Sequence, residues 1–421
     1  MANSKQSIEK RVRYLEQMIT DASLRGASLV PSEEDRIAIM QWGAELFRLS
    51  GGLNEVLFDR AGRVHIMVNS FSDETARLDY LSAGGTYFNA GAAASGLKIH
   101  PAFKVNGSII RGFRTDKYLW PRVNNVNYCA SLYNLPPAYN ISLNTMTDMV
   151  NTANSATAYP DGVLVHVQTR AEWSYFMLKS ASEAFQPRGN SSRGKSHKVS
   201  SDVGTPCGYV YEGMPIHTLG GSMSTFTRHD GTIFGISDLV GNVNDWLQGA
   251  RVVEGEILII PDNDAAANGL TNTDFNPADY ASSKYKAIMP DGSLVAPGTT
   301  GTLKYDYLAD PGTSGEHAFC VNNTLAHKQT TESPYGRVAF SSLTAAEGVN
   351  IPDIMRILGL YPLLTGSPEG SIFMRNIGTR ALSAGGGWYY GSIDGLGCAH
   401  FTGVPTDTSD GIGGRSASLI P

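Results

Sequence analysis

Glycines crowd the end of this chain: Gly385, Gly386, Gly387, Gly391, Gly395, Gly397 and Gly403. No regular helix runs through that density, because each interior glycine costs about 0.5–1 kcal/mol relative to alanine. The segment therefore has to turn repeatedly and bring backbone close to backbone. Between the glycines stand Trp388, Tyr389, Tyr390, Asp394, His400 and Phe401, and the chain closes on I-G-G-R-S-A-S-L-I-P. Aromatic and small polar side chains on tight turns are the vocabulary of a binding surface.

The rest of the composition agrees with a loop-rich globular protein. Of 421 residues, 42% are hydrophobic, enough for a large core, while only 17% are charged, below the usual quarter or so. The net charge is −6 and no dense Lys/Arg run occurs, so binding through nucleic-acid phosphates is not expected. Cys129, Cys207, Cys320 and Cys398 are far apart and form no C-x-x-C pair, so neither a zinc site nor a disulfide framework is signalled. His65, His166, His217, His229 and His327 read as isolated core or surface residues. The opening M-A-N-S-K-Q-S-I-E-K-R has no apolar h-region, and no stretch is long enough to insert in a membrane. The expectation is synthesis in a cytoplasm and, for any work outside a cell, release by a route such as lysis.

Residues 5–25 predict a helix with Ile8, Val12, Leu15, Ile19 and Ala22 at a/d spacing. That pattern fits either one amphipathic helix on a core or a small oligomerisation helix. A second helix is expected from Ser32 to Leu49, N-capped by Ser32, with Ile37, Met40, Ala44 and Phe47 as its apolar face. Strands at 55–58 and 64–68 flank a turn at Asp59–Gly62. The run G-A-A-A-S-G at 91–96 marks a junction. Residues 1–97 are accordingly expected as an N-terminal helical and β region for oligomerisation or attachment, and 98–421 as the main domain. Within the latter, helices are predicted at 141–154 and, with a Thr169/Glu172 capping box, at 169–181. The fold class expected is α+β.

Several stretches share one resemblance. D-L-V-G-N-V-N-D-W (238–246) resembles the D-x-x-G-N-V-x-E-W signature of the formylglycine-generating-enzyme-like branch of the C-type lectin fold. Ala171-Glu172-Trp173 resembles that branch's A-E-W helix, and Pro187-Arg188-Gly189-Asn190 its P-x-G-N. The ending, Gly385-Gly386-Gly387-Trp388, Gly391, Gly395 and Ile412-Gly413-Gly414-Arg415, resembles the variable segment of diversity-generating-retroelement target proteins, a known case of which sits at bacteriophage tail-fibre tips. It departs from that pattern at Leu396-Gly397-Cys398.

The resemblance implies a C-type-lectin-like domain over 98–421, with a variable-type segment at about 380–421. Trp388, Gly391, Gly395, Arg415, Asp238, Gly241, Asn242 and Trp246 would be its frame. Gly387, Tyr389, Tyr390, Ser392, Ile393, Asp394, Ala399, His400, Thr402 and Gly403 would be outward ligand-binding positions. The implied function is a phage or prophage receptor-binding protein on a virion, at a tail fibre or tail tip. It would contact a host cell-surface protein or glycan as a homo-oligomer, with a trimer as the guess. A single small patch binds weakly, and display in several copies adds avidity. A structural virion decoration protein is the alternative. A copper oxidase of the formylglycine type is third: soft Cu(I) wants paired thiolates, and Cys398 stands alone in the C-terminal part. No catalytic residue, metal or cofactor is expected. The Asp262-Asn263-Asp264 turn lacks the spacing of a calcium loop.

Overall fold

The computed structural model describes residues 2–70, 77–82, 85–88, 98–276, 284–363 and 366–421. The junction at 91–96, and with it the boundary expected at 97, lies outside the described residues. The chain is a mixed α+β protein, mostly sheet with few helices.

The N-terminal helices are α1, Ala2–Arg25, and α2, Glu33–Leu49. Ser32 caps α2 by accepting the Asp35 N–H, and Glu33, Glu34 and Asp35 fill its first turn, where the helix dipole favours negative charge. Val12, Leu15, Ile19 and Ala22 are fully buried against Ile39, Leu46, Phe58, Ile66 and Leu132 of the same chain. Four of the five a/d positions of α1 thus belong to an intramolecular core, while Ile8 is 41% exposed. A fully buried polar cluster also holds α1: Lys117 Nζ donates to Glu16 Oε1 (2.7 Å) and Asn54 Oδ1 (2.6 Å), and the Tyr118 hydroxyl donates to Glu16 Oε2 (2.7 Å).

The apolar face expected for α2 is the wrong one. Ile39, Gly43 and Leu46 point inward, whereas Ile37, Met40 and Phe47 are 53%, 59% and 42% exposed, and Ala44 is exposed beside them. Two apolar stripes compete on this helix, and Gly43 decides between them. A Cβ there would stand 2.8 Å from Val56 Cβ, so only this face approaches the strand Asn54–Phe58 closely.

A five-stranded sheet runs in the order Asn54–Phe58, Val64–Asn69, Gly112–Asp116, Ser416–Ile420, His166–Val167. All its neighbours are antiparallel. The N-terminal hairpin and the C-terminal strand therefore share one sheet, which spans both sides of the boundary expected at 97. The larger sheet places Pro334–Ala339, Ser371–Met374, Gly395–Phe401, Thr379–Gly385, Asn244–Val253 and Glu256–Ile259 side by side. Asn244–Val253 is buried along its whole length, as a central strand covered on both faces must be.

Helices α3, Leu143–Ser155, and α4, Arg170–Ser182, pack between the sheets. The Thr169/Glu172 capping box of α4 is present. Trp173, Phe176, Leu239, Leu247, Ile257, Tyr305, Ile372, Leu382, Leu396 and Phe401 share the main core.

Candidate functional site

The site begins with a frame. In D-L-V-G-N, Asp238, Gly241 and Asn242 all take left-handed backbone conformations, with φ of +57°, +69° and +67°. Asp, Gly and Asn are the residues that tolerate it, which is the physical content of that motif. A Cβ at Gly241 would lie 2.2 Å from the Asn190 carbonyl oxygen. The P-x-G-N loop is pressed against this turn. Asn242 N donates to Asn190 O (2.7 Å), and Asn190 Nδ2 donates to Asn242 Oδ1 (3.2 Å) and Ile216 O (2.9 Å).

Arg415 closes the frame from the other end of the chain. It is fully buried; Nε donates to Asp245 Oδ2 (2.9 Å), Nη1 to Ser237 O (2.9 Å) and Nη2 to Asp238 O (2.9 Å). Trp246 Nε1 donates to Ile141 O (2.9 Å), and Trp173 Nε1 to Leu396 O (3.1 Å). Burial pushes the Asp245 carboxyl up to about 6, against the opposing pull of Arg415.

On this frame sits the hairpin of Thr379–Gly385 and Gly395–Phe401. Its tip is tied down rather than free. Gly386 N donates to Asn244 Oδ1 (3.1 Å), Gly387 N to Asp394 Oδ1 (3.1 Å), Arg193 N to Trp388 O (2.7 Å) and Gly391 N to Ser191 O (2.9 Å). Gly386 has φ +88°, and a Cβ there would fall 1.8 Å from Asp394 Oδ1. A Cβ at Gly395 would fall 2.1 Å from Glu369 O. Trp388 is buried, with the Arg193 guanidinium 5.7 Å from its ring centre.

Beside the hairpin opens a cleft of about 320 Å³. Tyr389, Tyr390, His400, Thr402 and Gly403 line one bank, the loop 407–412 the other, and Asn244, Trp246, Ser383 and Arg375 the remainder. Asn244 joins both banks, since its Nδ2 donates to Gly411 O (3.3 Å) while its Oδ1 holds Gly386. A ladder of rings runs along the first bank. Trp388 to Tyr389 is 4.5 Å, Tyr389 to Tyr390 4.3 Å, Tyr390 to His400 5.6 Å, and His400 lies flat on Phe373 at 4.1 Å with 8° between planes. His400 is half-buried, and that burial lowers its imidazole to about 4, so it is neutral at neutral pH. Its Nε2 has no partner. Burial likewise raises the Tyr390 hydroxyl well above its ordinary range. A neutral imidazole, phenols, an arginine held by the Thr402 carbonyl (3.0 Å) and amide groups make a surface for stacking and hydrogen bonding.

The expected outward set divides. Tyr389 is 49% exposed and Ser392 is exposed, while Tyr390, Ile393, His400, Thr402 and Gly403 are half-buried. Gly387, Asp394 and Ala399 are buried and do not face outward. Gly387 packs on the Tyr390 ring and Asp394 is consumed in holding the tip. Ala399 lies between Ile372 and Ala384 in the middle of the sheet. Burial pushes the Asp394 carboxyl well above the usual range. Tyr389 and Tyr390 occupy a turn rather than a strand, so strand alternation does not set their sides.

Phe373, Arg375, Ser383, Asn244 and the 407–412 loop are functional candidates that sequence reasoning missed. Phe373 reaches His400 through parallel pairing of Ser371–Met374 with Gly395–Phe401, which no local pattern announces. Asn244 had a signal: it alternates with Trp246 on one strand, so both face the cleft.

Elsewhere, the Asp262–Asp264 turn is structural. Asn263 is fully buried, accepts the Thr169 hydroxyl (2.6 Å) and donates to Glu172 Oε1 (3.1 Å). His166 is not isolated but bonds Glu172 Oε1 (2.8 Å). His65 is not isolated either; it stands fully buried with Asp59, Asp116 and Cys129. All four cysteines are unbridged, and burial pushes the Cys398 thiol well above its ordinary value. Among the described residues no helix is long and apolar enough to cross a membrane.

No protein-family model and no curated protein matches the chain. Among solved structures it is similar to the Major Tropism Determinant I1 Variant, at 12% identity and a TM-score of 0.27, over 87% of this chain and 72% of that one. An overlap that loose carries no argument about function.

Proposed function

We propose that the chain is a non-enzymatic ligand-display protein with a C-type-lectin-like fold of the formylglycine-generating-enzyme-like branch. The cleft beside the 379–401 hairpin is its receptor-binding surface. The fold assignment is supported by the way separated stretches interlock: the P-x-G-N loop and the I-G-x-R tail both bond the 238–246 motif, and the A-E-W helix bonds Leu396 of the hairpin. The functional reading rests on one observation above others: the side chains that line the bank, Tyr389, Tyr390, His400 and Thr402, are not the groups whose hydrogen bonds build the frame. Such a surface can be specialised for a partner without disturbing the fold.

The partner is a host cell-surface protein or glycan, and the setting is a phage or prophage virion, at a tail fibre or tail tip. The protein works as a homo-oligomer, because one cleft of this size gains usable strength from avidity. The exposed Ile37, Met40, Ala44 and Phe47 row on α2, spaced three, four and three residues apart, is the surface that suits a second copy. A decoration protein of the virion is the competing role.

The purified chain is screened against intact bacterial cells and an arrayed glycan panel. Tyr389→Ala and Tyr390→Ala should each lower binding about tenfold or more, the scale of losing a buried aromatic contact, with the circular dichroism unchanged. Binding that ignores both substitutions sinks the receptor reading and leaves the decoration role.

A further inference from the structure

The cluster around His65 is fully buried, far from the described cleft in sequence, and used by nothing above. We propose that Asp59, His65 and Cys129 form a structural zinc site.

His65 lies on the strand Val64–Asn69, Asp59 just past Asn54–Phe58, and Cys129 beyond the strand Val126–Asn127. One ligand atom from each lies within 4.8 Å of the others, and all three residues have no solvent exposure. The two faces of the imidazole are differently placed. Nδ1 is 2.9 Å from Asp116 Oδ1, while Asp116 Oδ2 accepts the Ser416 N–H (2.8 Å). A carboxylate that holds Nδ1–H fixes the tautomer with the Nε2 lone pair aimed the other way, the arrangement found behind metal-bound histidines.

That lone pair faces Asp59 Oδ2 at 3.6 Å. Neither atom has a hydrogen-bond partner, although Asp59 Oδ1 accepts the Arg63 N–H (2.8 Å). Two unpartnered polar atoms facing each other in a dry interior call for a positive charge between them, a proton on Nε2 or a bound cation. A shared proton would draw them to about 2.7–2.9 Å. A tetrahedral zinc with bonds of about 2.0–2.3 Å holds its ligands roughly 3.3–3.8 Å apart; the His65–Asp59 pair, at 3.6 Å, has that spacing, and the three ligand atoms together lie within 4.8 Å.

The sulfur is prepared as well. Ser416 Oγ accepts the Trp120 indole N–H (2.7 Å) and lies 3.6 Å from Cys129 Sγ, so its own proton is free to be given to a thiolate. A divalent ion with one carboxylate, one thiolate and one neutral imidazole has its charge balanced by its ligands, and these residues supply three of the four tetrahedral positions. Nitrogen, oxygen and sulfur donors in a small tetrahedral space select zinc over calcium or magnesium. The ion would join the 54–69 hairpin to the 112–131 segment and, through Asp116, to the C-terminal strand. Two ligands come from the 54–69 hairpin and the third from a segment more than sixty residues on, which is why no spacing motif signals them.

The test uses the full chain produced in zinc-supplemented medium and freed of loose metal. Elemental analysis should give about one zinc per chain, the content of a structural site. Cobalt reconstitution should give a thiolate-to-cobalt charge-transfer band. Asp59→Asn, which keeps an oxygen for Arg63, and Cys129→Ala should each lower zinc affinity about tenfold or more, and Cys129→Ala should abolish the band. Wild-type chain that refolds in excess zinc without retaining it overturns the proposal, as does full zinc content in Cys129→Ala. Where either variant fails to fold, the cobalt spectrum of the wild-type chain decides alone: no charge-transfer band, no site.

Discussion

Replacing Arg415 with methionine removes the side chain on which the frame closes. The guanidinium is fully buried and donates to Asp245 Oδ2, Ser237 O and Asp238 O, each at 2.9 Å. Methionine fills much of the same space, so the cavity term is small and the loss is electrostatic. Stranding one partner of a buried ion pair costs about 3–5 kcal/mol, and the carbonyls that lose a donor, Ser237, Asp238 and Asp116, belong to the same network and do not simply add. The cost has a direction with pH. Burial already holds the Asp245 carboxyl at about 6, above its ordinary 3.8, while Arg415 pulls it down. Without Arg415 it rises further.

A carboxyl whose folded pKa exceeds its unfolded one contributes stability that is complete below the unfolded pKa and is lost as pH rises through the folded pKa. The deficit of Arg415→Met is therefore largest near about pH 8 and shrinks toward about pH 5, where Asp245 is neutral. Equilibrium urea unfolding followed by tryptophan fluorescence at both pH values measures it. Adding Asp245→Asn should recover part of the loss at the higher pH, since no charge is then stranded. A deficit under about 1 kcal/mol, the scale of a surface pair, or one that neither shrinks with acid nor responds to Asp245→Asn, would refute the reasoning.

Gly386→Ala should destabilise the chain by more than the roughly 1–2 kcal/mol of a left-handed alanine, because its Cβ collides with Asp394. Gly391→Ala, at φ +65° with nothing within 4 Å, should cost only that backbone term, and equal urea midpoints would contradict the comparison. His400 is lowered to about 4 by burial, so the stability it contributes is present above its ordinary 6.5 and is lost as pH falls through about 4. His400→Gln should flatten the acid limb of the urea midpoint over that window, and an unchanged limb argues against a buried neutral imidazole. Met40→Glu on the exposed α2 row should reduce the mass seen by light scattering to that of a single chain, with α1 packing intact; an unchanged oligomer moves the interface elsewhere.

Local features were legible in the sequence where one residue type has one physical use. Ser32 and the Thr169/Glu172 pair had to cap helices, and they do. Trp388, Trp246 and Arg415 were expected as frame through the family resemblance, and all three are buried. What depended on tertiary choice was not legible. Helix α2 carries two apolar stripes, and only the closeness of Gly43 to Val56 selects between them. Gly387, Asp394 and Ala399 resemble free positions by spacing, yet the tip bonds and the neighbouring strands bury them. His65 looked solitary because its partners lie in other segments, at Asp59, Asp116 and Cys129.

The division between frame and bank sets how far this surface can vary. At Gly386 and Gly395 a side chain meets a buried carboxylate or a backbone carbonyl, neither of which can yield. Asp394 cannot be exchanged either, since its oxygen fixes Gly387 and so the path of the backbone that presents Tyr389 and Tyr390. Gly403 is different. A Cβ there would lie 3.2 Å from Asp407 Oδ2, the far end of an exposed side chain, and 3.4 Å from the Trp246 ring. A small residue fits if that carboxylate, which accepts the Val404 N–H (2.8 Å), shifts. The positions free to change are then Tyr389, Tyr390, Ser392, Ile393, His400, Thr402 and Gly403. Five of them border one cleft, so changes there alter its lining while the bonds to Asn244, Asp245 and Asn190 keep its shape.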